Sequence, residues 1–141
     1  MRPHDTIVVV GNGLSRKDID LWQLKKEYIV YGCNAIYRDF QPDILFCVDD
    51  RMCNELHVSG YSKAHTVVTP NKYSCPSATH ININSKWNKW NCGALACLYA
   101  ATQKPKLIYL LGFDIVQKKY RKRVVKPKKG KGSFKRIKIK K

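Results

Sequence analysis

At 141 residues the chain has room for one domain with a genuine core. Its formal charge of +17 is unevenly spread: residues 1–116 hold 13 Lys and Arg against all 10 Asp and Glu, whereas residues 117–141 hold 14 Lys and Arg and no acid. This division excludes a uniformly basic domain and predicts a nearly neutral domain over 1–116 followed by a basic tail over 117–141.

The first element is a strand over Ile7–Val10, whose unbroken apolar run suits a sheet covered on both faces. It runs into Gly11-Asn12-Gly13-Leu14-Ser15. Two glycines permit a sharp turn and a close backbone approach, and a following helix would offer unpaired N–H groups to an anion. Ser15 either caps a short helix, with Asp18 three residues on, or contacts a phosphate. Leu21, Trp22 and Leu24 give that helix its apolar side.

Tyr28–Tyr31 reads as a second strand closed by Gly32-Cys33-Asn34, and Ile44–Val48 as a third closed by Asp49-Asp50. Met52–Ser59 reads as a helix stopped by Gly60, and Thr66–Thr69 as a fourth strand broken by Pro70. Residues 71–80 read as a loop, with a short strand over His80–Ile83. Cys92–Gln103 is rich in Ala and Leu and predicts a helix, and Leu107–Leu111 predicts the last strand, closed by Gly112-Phe113-Asp114. Strands alternating with helices predict an α/β fold of Rossmann-like, three-layer αβα type. Its sheet is mostly parallel, with about five to six strands. In such a sheet the ligand lies beyond the carboxyl ends of the strands, where these polar strand endings converge.

Each candidate carries two readings. The glycine loop is a phosphate turn or a plain strand-to-helix turn; it lacks the third glycine of the dinucleotide fingerprint, since position 16 is Arg. Asn34 stands where that fingerprint has an acid, and its amide suits a ribose hydroxyl or a base edge. Asp49 and Asp50 offer hard oxygens to magnesium, or cap the next helix. Asn91-Cys92-Gly93 opens the strongest helix, with Gly93 admitting either a ligand or close packing against the sheet. Asp114 belongs either to the crevice or to a turn. Trp87, Trp90, Tyr73 and Tyr99 stack on a base or pack in the core. His57, His65 and His80 read as surface or packing residues.

Lys118, Lys119, Arg121, Lys122 and Arg123 open the tail, with Tyr120 and Phe134 interspersed. Such a run binds polyanions through counterion release, or is simply solvated. Arg136–Lys140 alternates like a strand and suits a sheet edge. The six cysteines form no C-x-x-C pair and the histidines miss zinc-ligand spacing. No secretory leader and no apolar run near 18 residues is legible, so the expectation is a reduced, cytoplasmic protein without a membrane span.

The order Gly-Asn-Gly-x-Ser, Tyr-Gly-Cys-Asn, Pro-Asp-x-x-x-x-Val-Asp, Asn-x-Gly-x-Leu-Ala and Tyr-Leu-x-Gly-Phe-Asp, over about residues 7–114, resembles one superfamily. It is similar to the 6-hydroxymethylpterin diphosphokinase-like (MptE-like) proteins and the family 42 sialyltransferases, a group with small phage-encoded members. The resemblance implies a nucleotide- or nucleotide-sugar-binding, transferase-like domain. Its implied nucleotide contacts are Gly11, Asn12, Gly13, Ser15, Asn34, Asn91, Cys92 and Gly93. Asp49 and Asp114 are its implied catalytic carboxylates, and Asp49 and Asp50 its magnesium ligands; no tightly bound organic cofactor is implied. Leu14 departs from the usual proline and Cys92 from the usual serine, and the lid and histidine base of family enzymes lie in a region that here is only basic tail. Nucleotide binding therefore carries over further than catalysis. The alternative expectation is a non-catalytic nucleic-acid-binding protein that works through the tail.

Overall fold

A computed structural model describes residues 5–82 and 91–114. Trp87, Trp90 and the whole basic tail, including Lys118, Lys119, Arg121, Lys122 and Arg123, lie outside the described residues.

Six strands form one sheet: β1 (Thr6–Val10), β2 (Ile29–Cys33), β3 (Ile44–Phe46), β4 (Val67–Thr69), β5 (Thr79–His80) and β6 (Leu107–Leu111). Every ladder is parallel and the order is β5-β4-β3-β2-β1-β6. This is the Rossmann-like α/β architecture that the alternating pattern predicts. The short fifth strand begins at Thr79, one residue before its predicted start.

Alternate side chains along each strand feed two cores. Val8, Val10, Val30, Leu45 and Val67 pack on one face against α1 (Leu21–Glu27) and α2 (Asp50–Val58), through Leu21 and Leu56. Ile7, Val9, Tyr31, Phe46 and Val68 pack on the other against α4 (Cys92–Thr102), through Leu95, Ala96 and Ala100. A strand buried on both sides must be apolar at every position, which is why Ile7–Val10 shows no alternation. A one-turn helix, α3 (Tyr61–Ala64), follows Gly60, whose φ of +79° ends α2 in the left-handed conformation.

Strand order runs one way from β1 to β5, then reverses to place β6 on the far side of β1. The helix of the returning crossover lies on the opposite face. That change of face keeps the hand of the connection constant when its direction reverses. The topological switch point therefore falls between β1 and β6, with Gly11–Gly13 and Gly112–Asp114 at its mouth.

The first helix starts later than Ser15 suggests. Leu14–Arg16 is only a 3-10 turn, without a side-chain cap. Asp20 is the N-cap of α1 and accepts from Trp22 N and Gln23 N, both at 3.0 Å. A cap needs extended backbone and a carboxylate two or three residues before free N–H groups, and Asp20 has both.

Candidate functional site

The switch-point loops are joined to each other. Gly11 N donates to Leu111 O at 2.7 Å and Gly13 N to Gly112 O at 2.8 Å, carrying the β1–β6 pairing past the strand ends. Ser15 N donates to Asp114 Oδ2 at 2.8 Å. The Ser15 hydroxyl first, then the Ser15 N–H, hold the Asp114 carboxyl below the usual carboxylate range against the opposing effect of burial, with a smaller contribution from the Leu14 N–H. The N–H groups expected to cradle a phosphate thus have partners within the chain. A Cβ on Gly11 would stand 2.7 Å from Gly112 O, and one on Gly13 2.5 Å from the same oxygen. These glycines serve backbone-to-backbone contact.

The second glycine site is packed in the same way. A Cβ on Gly93 would meet the Phe113 ring at 2.5 Å, so Gly93 lets Phe113 lie against the start of α4. Asn91 is the N-cap of α4, its Oδ1 accepting from Ala94 N at 2.8 Å. The Cys92 thiol is buried and donates to Phe46 O at 2.7 Å. Contact with Cys33 and burial raise its pKa, so it stays protonated and is no nucleophile. Of the three residues, only main-chain groups and the Asn91 amide remain for a ligand.

Asp49 caps α2, with Oδ1 accepting from Arg51 N at 2.9 Å and Met52 N at 3.1 Å. Asp50 is held by Asn71 Nδ2 and by Ser74 Oγ. The two carboxylates therefore act on different partners. Among the described residues no group of three or more His, Cys, Asp or Glu side chains could hold a metal ion.

The space that remains open lies one strand over. A cavity of about 580 Å³ is lined by Asn34, Arg38, Asp49, Arg51, Met52 and Glu55. Asn34 follows β2 directly and adopts φ +52°, in the left-handed region that asparagine tolerates better than most residues. Its side-chain Oδ1 is buried and has no hydrogen-bond partner among the described residues. A buried acceptor left unpaired costs about 1–3 kcal/mol. At the same cavity Arg38 Nη2 donates to both Glu55 carboxylate oxygens at 2.7 Å, and Tyr37 donates to the same carboxylate. Arg38 first, then Tyr37, holds the Glu55 carboxyl below its ordinary range. With that pair mutually satisfied, the Arg51 guanidinium is the cation at this cavity without a partner among the described residues.

Asn12 links the two regions. Its Nδ2 donates to Cys33 O at 3.0 Å, and its Oδ1 accepts from Arg16 Nη2 at 3.2 Å. A smaller hollow of about 280 Å³ opens beside it, lined by Asn12, Gly13, Leu14, Arg16, Lys17 and Ile19. Sequence reasoning singled out Asn12, Asn34 and Asp49, but missed Arg51, Arg38 and Glu55. Arg51 and Glu55 stand on α2, and Arg38 ends a 3-10 turn over Asn34–Arg38; only the fold brings these two segments to one cavity.

No helix among the described residues is long and apolar enough to cross a membrane. No known family model matches the chain, and no curated protein is similar to it in sequence.

Proposed function

We propose that the chain binds a nucleotide or nucleotide-activated donor in the cavity beyond β2 and β3. The observation that carries this reading is a cavity of about 580 Å³ lined by Asn34, whose side-chain Oδ1 is buried and unpaired among the described residues. That volume lies within the range of small-molecule sites. An N–H or O–H of a base or ribose would satisfy the oxygen, and Arg51 would meet a phosphate. The motif order that resembles the MptE-like and family 42 proteins supports the same ligand class, with glycosyl or diphospho transfer as the implied chemistry. Magnesium would arrive on the phosphates. Asp49 would contribute Oδ2, since Oδ1 already holds the start of α2.

Calorimetric titration with CMP, CDP, UDP, GTP and ATP, each with magnesium, tests the proposal. Asn34→Gly is the informative variant, because glycine keeps the left-handed backbone while removing the amide. It is expected to weaken binding about tenfold, the worth of one hydrogen bond. No binding by any of the five nucleotides to the folded protein defeats the reading.

A second reading rests on the charge division alone. The 14 Lys and Arg of residues 117–141, with no acid among them, suit DNA or RNA phosphates. Replacing Lys118, Lys119, Arg121, Lys122 and Arg123 by glutamine is expected to flatten the salt dependence of binding to an oligonucleotide. An unchanged slope defeats it.

A further inference from the structure

We propose that Cys47 and Cys53 form a reversible oxidation site, a dithiol that closes to a disulfide across the joint between β3 and α2. The two sulfurs lie 3.1 Å apart, both in fully buried residues, one just after β3 and one in the second turn of α2. A disulfide needs a separation near 2.05 Å, so a shift of about 1 Å closes the bond. Of the remaining described cysteines, Cys33 and Cys92 also touch, but the Cys92 thiol is committed to Phe46 O, and Cys97 is half-buried on α4.

The surroundings differentiate the two thiols. Cys47 Sγ donates to Asp49 O at 3.6 Å, Cys53 Sγ donates to Cys47 Sγ, and Thr69 Oγ1 lies 3.4 Å from the Cys53 sulfur. With the Thr69 hydroxyl placed to support a thiolate on Cys53 and the Cys47 thiol held on Asp49 O, Cys53 is the attacking sulfur and Cys47 the resolving partner. With hydrogen peroxide as oxidant, the Cys53 thiolate attacks one peroxide oxygen and the O–O bond breaks. Hydroxide leaves, takes up the proton Cys53 had lost, and becomes water; Cys53 becomes a sulfenic acid. The Cys47 sulfur then attacks the Cys53 sulfur. The S–S bond forms, the S–O bond breaks, and the hydroxyl departs as water with the Cys47 proton. Two thiols and one peroxide give one disulfide and two waters. Both sulfurs are fully buried, so peroxide reaches them through local opening of the fold.

The ring closed by this bond contains Asp49, Arg51 and Met52, half of the residues that line the cavity. Oxidation would therefore stiffen one wall of that site. This consequence rests on the cavity being the ligand site; the disulfide itself does not.

The test uses the full chain, with Cys97→Ser as a parallel variant that removes the half-buried thiol. Each protein is treated with hydrogen peroxide, denatured, alkylated with iodoacetamide and digested. The expected result is a peptide in which Cys47 and Cys53 escape alkylation and are about 2 Da lighter, restored by dithiothreitol. Cys53→Ser should abolish that mass loss; should this variant not fold, the wild-type peptide map decides alone. Full alkylation of Cys47 and Cys53 after peroxide, or pairing of either with another cysteine, overturns the proposal. Because the map needs no nucleotide, its outcome is separate from that of the binding titrations.

Discussion

Replacing Gly13 by alanine isolates the contact that joins β1 to β6. Gly13 has φ −70° and ψ 160°, a conformation alanine adopts freely, so no backbone strain enters. The added Cβ would lie 2.5 Å from Gly112 O, which also accepts the Gly13 N–H at 2.8 Å. Moving that carbonyl to admit the methyl breaks the bond it accepts. Overpacking costs about 1–3 kcal/mol and the lost hydrogen bond about 0.5–1.5 kcal/mol. Alanine regains about 0.4–1 kcal/mol by restricting the unfolded chain. The net expectation is a loss of about 2–3 kcal/mol, which moves a urea midpoint down by about 1 M. Gly60→Ala is the control, because its φ is +79° but no atom lies within 4 Å of the added Cβ. It should cost only about 1 kcal/mol. If equilibrium unfolding finds Gly13→Ala no more damaging than Gly60→Ala, the close β1–β6 loop contact is wrong.

Two pH dependences follow from the same geometry. The Asp114 carboxyl is held below its ordinary range by Ser15, so its folded value lies below its unfolded one. Its contribution is present above about pH 4 and lost as pH falls through the folded value. The stability gap between wild type and Asp114→Asn should therefore shrink on acidification; a gap constant down to about pH 2 contradicts the contact. Tyr31 is pushed up to about 12 by burial first, then by Tyr99 and Asp43. Its contribution is full below about pH 10 and is lost as pH rises through the folded value. Absorbance at 295 nm should show one of the 8 tyrosines titrating last, and Tyr31→Phe should remove that step.

Sheet and layers were legible because each rests on local pattern. Ile7–Val10 is apolar at every position because β2 and β6 flank it and helices cover both faces. Gly60 was legible as a helix stop, since one residue's φ decides it. The start of α1 was not, because Ser15, Asp18 and Asp20 all have capping chemistry and only packing of Leu21 selects among them. Asp49 kept both readings in the sequence; its cap is now visible, and one oxygen is left over. Least legible was the pairing of Ser15 with Asp114, 99 residues apart. Nor could any spacing reveal that Phe113 occupies the room Gly93 leaves.

These long-range contacts join the loops at the mouth of the switch point. In an open parallel sheet the crevice at the switch point exists because neighbouring loops part there. Here they are joined: Gly11 and Gly13 bond to the carbonyls after β6, and Asp114 takes the N–H of Ser15. Glycines that would elsewhere let a phosphate approach let one backbone approach another. The larger of the two hollows lies beyond β2 and β3, lined by Asn34, Asp49 and Arg51 among others. A ligand bound there would be recognised by side chains rather than by a cradle of main-chain N–H groups. Its affinity would then depend on a few substitutable residues. Three of the six that line the cavity lie inside the ring that Cys47 and Cys53 can close.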